Sequence, residues 1–109
     1  MGIWSANKRK KYFPNPFPDG FYTGNSNEER FIGLPENYYA WEWGDALFVS
    51  LDPFRYSKSQ TGENWFWPLG EDQYPWFKKT LKESRAKFKF VFIHHLVGGG
   101  NKGGRAREE

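Results

Sequence analysis

The chain has no cysteine, a single methionine and only two histidines, and each scarcity removes a class of explanation. Without cysteine there is neither a disulfide framework nor a thiolate metal site, although this leaves the redox compartment open. No apolar run approaches the roughly 20 residues that a bilayer-spanning helix needs, and the opening "MGIWSANKRKK" has no apolar stretch of the signal-peptide kind. A parent chain carrying a leader is compatible with that, so the compartment, secreted or cytoplasmic, is left undetermined. Aliphatic residues are also few. Aromatic residues make up 21% of the 109 residues and mean hydropathy is -0.87, so the expectation is a modest single core built mainly from rings.

Charge excludes less than it first suggests. The chain holds 16 Lys and Arg against 13 Asp and Glu, a net +3. The clear excess sits in "NKRKKY", residues 7–12. Such a run reads as a solvated, frayed segment rather than a phosphate-contacting patch, and nucleic acid is not expected as a partner.

Three stretches follow along the chain. Residues 1–37 are Pro- and aromatic-rich and read as irregular, because "YFPNPFPDGFYTG" places three prolines among turn formers. Residues 38–97 carry order. Within them "YYAWEW" and "ALFVSLD" are two strands joined by Gly44 and Asp45, with glycine first as a type II′ turn requires. The second strand is apolar without alternation and suggests burial on both faces. A polar connection leads to "EDQYPWFKKTLKESRAK", where Tyr74, Phe77 and Leu81 recur at helical spacing and Pro75 is expected in the first turn. A last strand runs from Phe88 to Ile93. Hairpin, connection, helix, strand is a crossover unit that sets the last strand parallel to an earlier one, an α/β fold with a mixed sheet. Residues 98–109 are a Gly-rich tail.

Chemistry concentrates where two strands end. Asp52 closes one, and His94 and His95, the whole imidazole supply, close another. Ligands gather at the carboxyl ends of strands in α/β sheets, and imidazole with carboxylate suits a divalent metal. Adjacent strand residues point to opposite faces, so one histidine is the ligand candidate and the other its neighbour.

The segments "NYYAWEWGDALFVSLD", "WPLGEDQYPWFKKTLKES" and "KFKFVFIHHLVGG", in that order, resemble the middle of a calcineurin-like metallophosphoesterase, the superfamily that includes the purple acid phosphatases. Val91, Phe92, Ile93 and His94 match the family's "VxxH" strand, and Gln73, Trp76 and Phe77 match its helix. The resemblance implies a partial calcineurin-like sandwich, with His94 a ligand in a two-metal site and His95 a catalytic neighbour of the phosphate. It implies divalent ions such as Zn, Fe or Mn, which hold a bridging hydroxide for in-line attack at phosphorus, and a phosphate-ester substrate.

The departures are as informative. The family's early "DxH", its "GNHD" and its late "GHxH" have no counterpart here. Gly24 and Asn25 spell "GN" but Ser26 follows, and Asp45 belongs to the hairpin turn. The expectation is therefore a fragment of a phosphoesterase domain that is inactive when isolated.

A different class of function also fits the composition, a non-catalytic module stacking sugars or single-stranded nucleic acid on exposed rings such as "YYAWEW" and Trp65 to Trp67. Rings at alternating strand positions read more simply as a buried sheet face. A severed sheet would also leave edges unpaired, through which copies of the chain could associate.

Overall fold

The computed structural model describes residues 2–53 and 69–94 of the chain. Order begins well before Tyr38: the basic run forms a helix, α1 (Ile3–Tyr12), where a frayed segment was expected. Little apolar burial holds it, since Ala6 is its one buried residue. Its anchor is polar. The Asn7 amide donates to the Phe31 carbonyl at 3.0 Å and the Lys10 ammonium to that of Ile32 at 2.6 Å. The Arg9 guanidinium donates to Glu36 O at 2.6 Å and to Pro35 O. One amide and two cations thereby satisfy the carbonyls of Phe31, Ile32, Pro35 and Glu36. Phe31 and Glu36 carry positive φ, 69° and 52°, at a cost of roughly 1 kcal/mol each for a side chain other than glycine. Both carbonyls are among those that α1 holds.

The helix stops at the first proline. Pro14 disfavours helical geometry in the residue before it, and Phe13 is extended, with φ -126° and ψ 103°. The Pro-rich stretch then runs without regular structure, as expected, until Asp19 Oδ1 accepts the amides of Phe21 and Tyr22 at 3.0 and 2.9 Å. That turn delivers the chain into β1 (Thr23–Gly24).

A mixed four-stranded sheet in the order β1-β2-β3-β4 forms the body of the fold. β2 (Tyr39–Trp43) and β3 (Ala46–Ser50) make the expected hairpin, and positive φ at Gly44 alone of the two turn residues fits type II′. β1 is antiparallel to β2, and β4 (Phe88–Phe92) is parallel to β3. The parallel pair requires a crossover, and α2 (Gly70–Glu83) supplies it.

Strand alternation sorts the sheet into two unlike faces. Ala40, Leu47, Val49 and Leu51 are buried on one, against Leu69, Trp76, Phe77, Leu81 and Ala86 from α2 and its flanks and Ile93 just after β4. The buried cluster is thus aliphatic, and the rings pack around it, which reverses the expectation of an aromatic core. Nor is β3 buried on both faces: Leu47 and Val49 are, whereas Ala46, Phe48 and Ser50 are half-buried. The reason is spatial. A sheet packed on one close helix has room beneath it for small and branched side chains, and the large rings of β2, β3 and β4 fall on the other face.

α2 begins upstream of where its proline suggested. Pro75 lies inside the helix rather than in its first turn, and it is exposed, so the carbonyl it leaves without a donor faces water. Glu71 and Asp72 at the start and Lys82 near the end complement the helix dipole.

Candidate functional site

Because β1, β3 and β4 all run the same way, their carboxyl ends share one rim of the sheet. Asn25 follows β1, Asp52 lies two residues beyond β3, and His94 two residues beyond β4. The start of β2 lies on the same rim, with Asn37 just ahead of it. Sheet register equates Ser50 with Phe92, and the Leu51 amide donates to Phe92 O at 2.9 Å. Asp52 and His94 therefore leave neighbouring strands in step, as the crossover unit requires.

A polar chain runs along this rim. Asn25 Nδ2 donates to Asn37 Oδ1 at 3.0 Å, and Asn37 Nδ2 donates to Asp52 Oδ2 at 3.2 Å. Asn25 Oδ1 accepts the Asn27 amide at 3.0 Å. Asn25 and Asp52 are buried, at 2% and 8% exposure, so each of these bonds offsets a desolvation cost. His94 is exposed at the end of β4.

Beneath the rim, Gln73 of α2 is fully buried and grips the backbone of Asp52. Its Oε1 accepts the Asp52 amide at 2.7 Å, and its Nε2 donates to the Asp52 carbonyl at 2.8 Å and to Leu69 O at 3.0 Å. One carboxamide thus does for Asp52 what a neighbouring strand would do, pairing both backbone groups of one residue. Trp76, next on the same helix face, sets its ring 4.8 Å from that of the buried Tyr38. The helix residues that carried the family resemblance therefore position the rim.

Of the site residues expected from sequence, His94 and Asp52 come to one rim. His95, the Gly-rich tail and Trp65 to Trp67 lie outside the described residues. Asp45 sits in the hairpin turn at the opposite end of β3, roughly 20 Å from Asp52 at about 3.3 Å per residue, and contributes its carbonyl to the Phe88 amide at 3.0 Å. Sequence reasoning missed Asn25 and Asn37. Asn25 was visible in the "GN" pair, and Asn37 was visible as the polar residue heading a strand.

The donors on this rim do not by themselves compose a metal centre. A catalytic zinc takes about three protein ligands, and among the described residues no group of three or more His, Cys, Asp or Glu side chains could hold an ion. The described part of the rim offers one imidazole and one carboxylate that already accepts from Asn37.

The second feature is the sheet face turned away from α2. In register across β2, β3 and β4 lie Trp43, Ala46 and Phe88, then Trp41, Phe48 and Phe90, then Tyr39, Ser50 and Phe92. None of these nine is charged. Trp41 and Phe48 stack at 5.1 Å and 14°, and Phe48 and Phe90 at 5.4 Å and 19°. Tyr22 extends the cluster, 5.6 Å from Trp41. No family model, curated protein or solved structure matches the chain.

Proposed function

We propose that the chain is the central part of a metal-dependent phosphoesterase domain of the calcineurin-like kind, acting on phosphate esters, with His94 as a metal ligand and His95 beside the phosphate. The observation that carries this reading is the parallel pairing of β3 with β4, which sends Asp52 and His94 out of adjacent strands onto one rim. The finer reading of a partial sandwich accords with a sheet that has a helix on one face and uncovered rings on the other. Since the described donors fall short of a metal centre, no hydrolytic step is assigned to them alone, and divalent ions would need ligands from beyond the described residues.

A stacking platform for sugars or bases is less well supported. The rings of the central row stack on one another, so their π faces are already occupied and their edges point outward, whereas a sugar or base stacks on an open face.

The test is a titration of Mn²⁺ into the isotopically labelled chain, followed by NMR, beside His94→Ala. The expected result is paramagnetic broadening centred on residues 52 and 94, weak in affinity and lost in the variant, with no hydrolysis of an aryl phosphate. Broadening that centres on Glu71 and Asp72 and spares His94 would refute the assignment. Metal-dependent hydrolysis by the chain alone would refute its inactivity.

A further inference from the structure

We infer that the aromatic face of the sheet is a self-association surface, on which two copies of this chain pack face to face as a two-fold dimer. The inference concerns the chain itself and does not rest on phosphoester chemistry.

Trp43 is 77% exposed, Phe88 52%, Phe90 47% and Phe92 55%. At roughly 200 Å² for a whole aromatic side chain, these four with the half-buried Tyr39, Trp41 and Phe48 present on the order of 600 Å². That is the upper end of what a monomer leaves bare. Two such faces brought together would remove roughly 1,200 Å² from water, the size at which stable interfaces begin.

Chemistry then selects the occupant. A two-fold dimer sets a surface against itself, so any charge on it meets its own sign near the axis. The nine facing positions carry none, and the polar atoms among their side chains are the hydroxyls of Tyr39 and Ser50, in one outer row, and the indole N–H groups of Trp41 and Trp43. Lys87 and Lys89 flank the patch in sequence: Lys89 falls on the helix side, where its ammonium donates to Leu81 O at 2.6 Å, and the Lys87 ammonium lies 5.5 Å from the Phe88 ring centroid at the patch margin. A charged partner would find no counter-charge at these nine positions. Sheets pack face to face about 10 Å apart with interdigitating side chains, and the outward edges of stacked rings suit that arrangement.

The alternative mode of self-association is edge pairing through β4, whose far side has no neighbour among the described strands. One substitution addresses each mode. Trp43→Glu places a charge on the face, on β2 and away from the edge strand. Val91→Lys charges the edge strand on the helix side and leaves the face intact. Both residues are exposed, at 77% and 42%, so far-UV circular dichroism is expected to be unchanged in each.

Sedimentation velocity across a concentration series is the measurement. The expected result is a species of twice 12.9 kDa for the parent chain and for Val91→Lys, with Trp43→Glu needing an about hundredfold higher concentration to dimerise, as for loss of an interface hot spot. A parent chain that stays monomeric at high concentration would overturn the inference. So would a dimer that survives Trp43→Glu, a dimer abolished by Val91→Lys alone, or open-ended assembly beyond the dimer.

Discussion

The side chain of Gln73 closes two hydrogen bonds on the backbone of Asp52, accepting its amide at 2.7 Å and donating to its carbonyl at 2.8 Å. The pair joins α2 to the end of β3 at the point where the strand has run out of partners. Removing the carboxamide leaves buried backbone groups unsatisfied, each worth about 1–3 kcal/mol. Gln73→Ala is expected to lower unfolding free energy by about 3 kcal/mol in urea titration. Gln73→Leu restores the volume but none of the bonds, so it should recover only a minor part.

Gly24 has no room for a side chain. A Cβ there would meet the Tyr38 carbonyl oxygen and lie 3.0 Å from Tyr39 Cα, and both are backbone atoms of the adjoining strand that cannot swing aside. Gly24→Ala should cost about 1–3 kcal/mol, as overpacking does. The local readout is amide exchange at Asn25, whose N–H bonds the Tyr38 carbonyl at 3.3 Å and should exchange faster in the variant.

α1 is held by donors rather than by a greasy face, so its docking should fail when one donor is removed. Arg9→Ala leaves the carbonyls of Pro35 and Glu36 without the guanidinium. With charge-assisted bonds worth about 1.5–3 kcal/mol, tryptic cleavage at Lys8, Lys10 and Lys11 is expected to accelerate at least about tenfold. Arg9→Lys should restore little, because an ammonium cannot span two carbonyls as a fork does.

Asn37 stands between Asn25 and Asp52, donating to one and accepting from the other. Asn37→Asp sets a second carboxylate beside Asp52 and removes the donor between them. Two such groups cannot both ionise easily, so one folded-state pKa rises above its unfolded value of about 3.9. A raised carboxyl pKa stabilises the fold at low pH and is lost as a contribution when pH climbs through it. The variant should be about 2 kcal/mol less stable than the parent at pH 7, and the deficit should shrink toward pH 4, as thermal melts at the two pH values will report.

How much of this was legible beforehand depends on how local the signal is. The hairpin could be read because Gly44 fixes its turn, and the crossover because a helix between strands allows few other arrangements. α1 could not, since its apolar spacing is poor and its anchoring carbonyls lie more than 20 residues away, at Phe31 to Glu36. The core was misjudged for a similar reason: counting rings says how much apolar surface exists, whereas register against α2 decides that Val49 goes in and Trp43 stays out. On the rim, Asp52 and His94 were foreseen from strand ends, but the link through Asn37 joins three loops and has no contiguous trace. His95 remains a sequence-based assignment.

The position of β3 at the centre of the sheet also has a temporal side. Its hairpin with β2 can close within about 10 μs of becoming available. The helix that covers Leu47 and Val49 is complete only at Glu83, some 33 residues after Ser50. At a synthesis rate of roughly 5–20 residues per second, the nascent hairpin waits several seconds with both of its faces open to the surroundings. During that interval the hairpin shows apolar surface on two sides at once, and the arrival of α2 covers one of them.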